Sequence, residues 1–301
     1  AIEPRASIGI YEKGEQKYTL YGGNQGPNRV REEIAHELLK VSETKLQVIS
    51  PDVGGGFGMK GSSYGEDILV LWGAKVTGRP VKWVGDRLES FMSDSHGRDV
   101  IADCEMAFDD DGKITGLRIS ADYNVGAYLS PNAGVSPMFF SILLSGVYAI
   151  PAIDVTTRCL FTNMGATAPY RGAGRPEAAY ILERLLDIAS RELDIDPIEI
   201  RRRNLVKADQ MPYQTALMPN LDCGDFEAVM DKALEISDWQ GFDARKAEAS
   251  SRGKIRGRGV AVYMESAAPF NERMEIRFDL GGDVTVIAGT HSHGQGHETV
   301  Y

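Results

Sequence analysis

Gly54-Gly55-Gly56-Phe57-Gly58 packs four glycines around one aromatic ring. Such a run loses more backbone entropy on folding than any other, so it is retained where φ must be positive or where something approaches the main chain closely. A tight turn with no ligand satisfies the same description. Continued through Met59-Lys60-Gly61, the run also spells GxGxxG between a strand and a helix, with Asp86 after the next strand. That is the pattern of a dinucleotide-binding βαβ unit, although residues 51–55 separate strand from motif where the fingerprint wants its first glycine at the strand's end.

Around this loop the first third of the chain alternates strand and helix. Residues 17–21 read as a strand, and Asn28 as the N-cap of a helix carrying Val30, Ile34, Leu38 and Val41 on one face. Residues 46–49 and 81–84 read as strands flanking an apolar helix over 66–76 that stops at Gly78. Residues 100–108 and 114–123 are joined by Asp109-Asp110-Asp111-Gly112, turn chemistry that predicts an antiparallel hairpin. Pro176 opens a helix with Ile181, Leu185, Ile188 and Leu193 at helical spacing, and Asp196-Pro197 opens a shorter neighbour. Residues 209–224 lack periodicity, residues 226–236 resume a helix, and 259–265, 274–280 and 284–289 read as strands. The expected domains are 1–215 and 216–301.

Two further glycine-rich segments carry polar groups. Tyr170-Arg171-Gly172-Ala173-Gly174-Arg175-Pro176-Glu177 sets two arginines directly before a long helix, where free N–H groups and guanidinium would converge on an anion. A structural ion pair of Glu177 with Arg171 or Arg175 accounts for the same residues. Near the end, His291, His293 and His297 cluster, but Gly294-Gln295-Gly296 bends the chain between them and no thiolate is near. Backbone and amide donors around a polar ligand fit this segment better than zinc ligation, and a plain strand-end turn fits it too.

Composition excludes several classes. A net charge of −10 is unsuited to a nucleic-acid surface, and Arg201-Arg202-Arg203 is the one basic run. Cys104, Cys159 and Cys223 lie far apart, so neither an iron–sulfur cluster nor a disulfide framework is indicated. No GxSxG, no Walker A loop and no Cys beside a His occurs. The apolar stretch 138–150 is too short and interrupted to span a membrane. No secretory leader is visible, which points to the cytoplasm with the periplasm left open, and a first residue other than Met suggests upstream sequence.

The three loops, in this order and spacing, resemble the molybdopterin-binding large subunits of the xanthine oxidase and aerobic carbon monoxide dehydrogenase family. Further stretches join them: Ile2-Glu3-Pro4-Arg5, Gln25-Gly26-Pro27, 78–82, Gly126-Ala127-Tyr128, Thr162-Asn163, Asp196-Pro197, Arg203-Asn204-Leu205 and 294–299. The resemblance implies an α+β fold of mixed sheets with packed helices, followed by a second α+β domain incomplete at the C-terminus. It also implies a molybdenum–molybdopterin cofactor, in the cytosine dinucleotide form, whose dithiolene holds the metal so that the protein supplies no metal ligand. By that resemblance Gln25 and Arg171 are catalytic, Gln25 bonding a molybdenum ligand and Arg171 orienting substrate or stabilising developing charge. Gly56, Phe57, Gly58, Arg171, Gly172, Gly174, Arg203, Gly294, Gln295, Gly296 and His297 would bind cofactor, and Leu205 would face substrate. The implied activity is hydroxylation of an aldehyde or aromatic N-heterocycle with oxygen from water. Electrons would pass to an iron–sulfur small subunit and an FAD medium subunit in a dimer of heterotrimers.

Two departures from the family pattern stand out. Gly172-Ala173-Gly174 replaces the cysteine loop of true carbon monoxide dehydrogenases, which argues against carbon monoxide as substrate. The family's catalytic glutamate lies in a segment beyond 294–299, so the 301 residues are expected to lack it. Two other readings stand beside the enzyme: a cofactor-holding module with no base, and a nicotinamide dinucleotide-binding enzyme.

Overall fold

The computed structural model describes residues 2–265 and 273–301. Its first sheet is built from β1 (Ala6–Glu12), β2 (Lys17–Gly22), β3 (Leu46–Ile49) and β4 (Val81–Val84), in the order β3-β2-β1-β4. β1 is antiparallel to β2 and β4, while β2 and β3 are parallel. Helix α1 (Pro27–Glu32) and α2 (Gly65–Thr77) bury Val30, Val70 and Leu71 against Tyr18, Leu20 and Leu46. Gly9 makes the helix–sheet contact possible, because a Cβ there would lie 2.4 Å from the backbone of Val70. β3 and β4 sit at opposite edges of this sheet. They therefore do not form the adjacent parallel pair that a dinucleotide-binding βαβ unit requires.

Helix α1 departs from the expected cap. Gly26 is its N-cap, Pro27 follows, and Asn28 lies inside the first turn. The helix then widens into a π-helical segment, Glu33–Leu39, closed by left-handed Lys40 whose N–H returns to the carbonyl of Ala35. Widening the turn rotates the apolar face. Ile34 and Ala35 are buried and Leu39 packs on the core, whereas Leu38 is exposed.

The second sheet comprises β5 (Val100–Phe108), β6 (Ile114–Gly126) and β7 (Ile153–Phe161), in that order, following the short helix α3 (Arg87–Ser93). The hairpin β5–β6 is antiparallel as its turn chemistry predicts, with Gly112 at φ 74°, and β7 is parallel to β6. Helices α4 (Val135–Ile142), α5 (Arg175–Glu192) and α6 (Pro197–Asn204) contribute to the larger core, where Ile119 and Tyr123 join Phe140, Leu182, Leu186 and Ile200. Asp196 caps α6 by accepting from the N–H groups of Ile198 and Glu199 at 2.8 and 3.1 Å. The three consecutive arginines bind protein rather than an external anion. Arg201 is fully buried and pairs with Glu183 and Asp187 of α5, each at 2.8 Å, while Arg202 pairs with Glu227 and Asp231.

The two-residue strands β8 (Tyr213–Gln214) and β9 (Asn220–Leu221) interrupt the aperiodic stretch before α7 (Phe226–Ile236) and α8 (Phe242–Ser251). Residues 259–265, expected as a strand, join no ladder. Val260, Val262 and Met264 nevertheless pack on the larger core, so the period-two burial survives without a strand partner. β10 (Met274–Phe278) and β11 (Val284–Ala288) form an antiparallel pair, and α9 (His297–Val300) follows. Among the described residues no helix is long and apolar enough to cross a membrane.

Candidate functional site

The first loop is shaped from behind by the chain's N-terminal segment. Glu3 accepts from the Gly54 N–H at 2.8 Å and pairs at 2.6 Å with Lys60, whose side chain is 1% exposed. Burial alone would raise the Glu3 carboxyl, but the bonds from Lys60 and Gly54 outweigh it and hold the group below its ordinary range. Inside this frame Gln25 threads under the glycines. Its Oε1 accepts from the Gly58 N–H at 2.7 Å, and a Cβ on Gly56 would lie 2.1 Å from its Cγ. Phe57 and Gly58 both take positive φ, 55° and 91°, and a Cβ on Gly58 would lie 2.1 Å from the carbonyl oxygen of Pro169. Gly58 thus lets the first loop lie flat on the second.

The second loop runs through three consecutive left-handed residues, Gly172, Ala173 and Gly174, before Gly174 caps α5. The N–H of Arg171 donates to the carbonyl of Phe57 at 3.1 Å, and its guanidinium lies 5.8 Å from the centre of the Phe57 ring. The expected ion pairs rearrange. Arg175 pairs with Glu265 at 2.6 Å, and Glu177 faces Arg98 at 3.4 Å. Arg171 forms no salt bridge among the described residues. Tyr263 packs toward Gly172, and its hydroxyl is pushed up to about 12 by burial and by its bond to Glu265.

The third segment follows β11 as an irregular turn, not a strand, so the histidines hold separate positions. His291 Nε2 lies 3.0 Å from the carbonyl oxygen of Ser50. His293 Nδ1 lies 3.0 Å from the His291 carbonyl oxygen, a geometry in which Nδ1–H donates. That tautomer leaves Nε2 to accept from the amides of Gln25 at 3.3 Å and Gln295 at 3.1 Å. Burial chiefly, with His291 and His297 nearby, lowers the His293 pKa despite the carbonyl contact. His293 thereby ties the third segment to the first. Gly294 and Gly296 have φ of 123° and 74°, and a Cβ on either would meet nothing within 4 Å.

The three segments enclose one cavity of about 830 Å³, lined by Gln25, residues 53–58 and 169–173, His293, Gly294 and Gln295, with Ile2 at its edge. Gln25, Gly56, Phe57, Gly58, Arg171, Gly172, Gly294 and Gln295 are therefore brought together around it. Gly174 lies just behind, at the start of α5. Gly296 and His297 do not line the cavity, and His297 stacks on Tyr301 instead. Arg203 and Leu205, expected to touch cofactor and substrate, also do not line this cavity. Arg203 is held by Glu199 at 2.8 Å and by the Asp111 carbonyl at 2.6 Å. Leu205 is 2% exposed within the larger core, bridged to Tyr148.

Sequence reasoning overlooked Glu3, Arg98 and Tyr263, and it considered His293 only as a metal ligand. No local pattern marks the first three, which act across 51 residues or more: Glu3 on Gly54, Arg98 on Tyr170 and Tyr263 on Gly172. The single available signal was the neighbourhood of Glu3 in the family-like Ile2-Glu3-Pro4-Arg5.

Known proteins agree with this arrangement. The molybdopterin cofactor-binding domain family matches residues 1–205, and a second domain of the same description matches 232–301. The nicotine 6-hydroxylase large subunit of Paenarthrobacter nicotinovorans is 32% identical over 99% of this chain and 38% of its own length. The carbon monoxide dehydrogenase large chain of Hydrogenophaga pseudoflava is 32% identical over 100% of this chain and 40% of its own. The crystal structure of quinoline 2-oxidoreductase from Pseudomonas putida 86 superposes with a TM-score of 0.91 at 32% identity, over 99% of this chain and 40% of that one. The chain thus spans about two fifths of the length of these relatives. The chain belongs to the molybdopterin cofactor-binding domain family and matches part of the large subunits of the xanthine oxidase and carbon monoxide dehydrogenase type.

Proposed function

We propose that this chain carries the cofactor cradle of a molybdenum hydroxylase that oxidises an aldehyde or an aromatic N-heterocycle with oxygen from water. The observation that carries the reading is the meeting of three glycine-rich segments around one cavity, into which Arg171 brings a guanidinium that no carboxylate among the described residues neutralises. The residues fit molybdopterin. The cavity volume is within the range of about 300–1,000 Å³ usual for cofactor sites. The N–H groups of Gly56, Phe57 and Gly294 have no acceptor among the described residues, so they are free to meet phosphate or pterin oxygens. When bound, the cofactor supplies the two-electron oxidation of the substrate C–H.

This chain's residues do the rest. Gln25 carries two amide N–H donors, one more than His293 requires, and offers the second to the cofactor. Because Gly58 gives its N–H to Gln25, the Phe57 N–H, with that of Gly56, is what this loop offers to the cofactor. Arg171 orients the substrate's oxygen or ring nitrogen and stabilises negative charge developing on it. The aromatic face of Phe57 supports that guanidinium. Among N-heterocycles and aldehydes we favour the former, since relatives named for nicotine and quinoline are 32% identical over 99% of this chain. Carbon monoxide is disfavoured because no cysteine lines the cavity. No carboxylate lines it among the described residues either, so the reaction's base is assigned to a part of the protein outside these loops. Cytosine dinucleotide as the pterin form, a domain boundary near 215, and iron–sulfur and FAD subunits in a dimer of heterotrimers complete the proposal.

The test is metal and pterin analysis of the native complex, combined with turnover on a panel of aldehydes and N-heterocycles in ¹⁸O-labelled water. Molybdenum, a cytosine-bearing pterin and labelled product are expected. Full cofactor loading without turnover of any substrate would instead support a cofactor-holding module.

A further inference from the structure

The carbonyls of Tyr170 and Gly172 accept turn hydrogen bonds from the N–H groups of Ala173 at 2.7 Å and Arg175 at 3.2 Å, whereas that of Arg171 accepts from no backbone N–H among the described residues and is left to a side chain. Two guanidiniums reach this stretch. Arg175 donates to the Gly172 carbonyl at 3.1 Å and is neutralised by Glu265. Arg98, from the segment between α3 and β5, donates to the Arg171 carbonyl and lies 3.4 Å from that of Tyr170, with its guanidinium 4.9 Å from the centre of the Tyr170 ring. On the other side of the same residue, the Arg171 N–H is fixed to Phe57. Arg171 is therefore held through both its N–H and its carbonyl, and its side chain is the part left to line the cavity.

Glu177 makes this clamp unusual. Its side chain is 6% exposed, yet neither carboxylate oxygen accepts a hydrogen bond among the described residues. A buried carboxylate without hydrogen bonds is costly and is seldom retained without an electrostatic purpose. Its nearest charged partner is Arg98, at ion-pair distance. The carboxylate offsets a positive charge that would otherwise stand beside Arg171 and Arg175 in the same loop.

We propose that Arg98, counter-charged by Glu177, is the positioning residue of Arg171: it locks the 170–172 backbone so that the Arg171 guanidinium points at the substrate. The proposal rests on the reading of Arg171 as the residue that meets substrate. A displacement of about 1 Å at such a group costs on the order of a hundredfold in rate.

The experiment compares R98Q, R98K, R171K and the R98Q/R171K double variant in the native cofactor-loaded complex. Hydrogen–deuterium exchange of residues 168–176 is read beside kcat/KM, with molybdenum content as the loading control. R98Q is expected to speed exchange in this segment at least tenfold and to lower kcat/KM about 10–100-fold at unchanged molybdenum. R98K should recover part of both effects, and the double variant should be no slower than R171K alone. Unchanged exchange in R98Q, or losses from R98Q and R171K that multiply in full, would overturn the positioning role. Faster exchange in R98Q with R171K fully active would keep the clamp and overturn the substrate role of Arg171 instead.

Discussion

Gly58 carries two independent demands. Its φ of 91° belongs to the region that side-chain-bearing residues avoid, and a Cβ would collide with the Pro169 carbonyl oxygen at 2.1 Å. Neither neighbour can yield cheaply, since one is its own backbone and the other is the backbone of the loop it supports. Gly58→Ala should therefore cost about 1–3 kcal/mol of stability and separate the first loop from the second. Chemical denaturation should report the loss, and unchanged stability with normal cofactor retention would refute the close approach. At this scale the glycine cluster was readable as a demand for positive φ or close approach, and both occur. Which atom makes the approach was not readable, because Pro169 lies 111 positions away.

Among elements, the 54–60 loop depends on the single carboxylate of Glu3, which bridges its two ends. The Glu3 pKa is depressed in the folded state, so its contribution is present above the unfolded value of about 4.3 and is lost as pH falls through the lower folded value. Glu3→Gln should abolish this acid-side dependence while leaving Lys60 buried without a counter-charge. Because Glu3 is 44% exposed, the cost is discounted to roughly 1–3 kcal/mol. Stability measured from pH 3 to 7 checks it: parallel curves for the two proteins would show that Glu3 does not hold the loop. The regular elements were more legible than this strut. The β5–β6 turn, the Gly78 stop of α2 and the Asp196 cap of α6 are local signals and appear where local chemistry puts them. β7 was not legible, because the contacts that hold it are distant ones: pairing with β6 and packing of Ile153 and Val155 on the larger core. The π-helical turn after α1 was equally hidden, since it follows from packing of Leu39 against the first core.

For the whole molecule, segments from three distant parts of the chain meet around one cavity without filling it, so the bound cofactor should act as their common partner. Ligand that binds only the folded state stabilises it by about 4 kcal/mol at a thousandfold excess over its Kd. Stripping molybdopterin from the native complex should lower the thermal midpoint and raise proteolytic cleavage in all three segments together. Cleavage confined to one of them would show that they are stabilised separately.

The sequence by itself determined local features: glycine at positions that need its backbone freedom and arginine before a helix. Those are local chemical facts, and the order of the three loops tied them to one family. Only the tertiary structure decided which of the named residues share a cavity, setting Arg203 and Leu205 apart from it and bringing His293, Glu3 and Arg98 to the support of the loops. The reason is physical: the bonds that aim these side chains cross from 51 to 268 positions of sequence, and no local periodicity encodes a contact of that range.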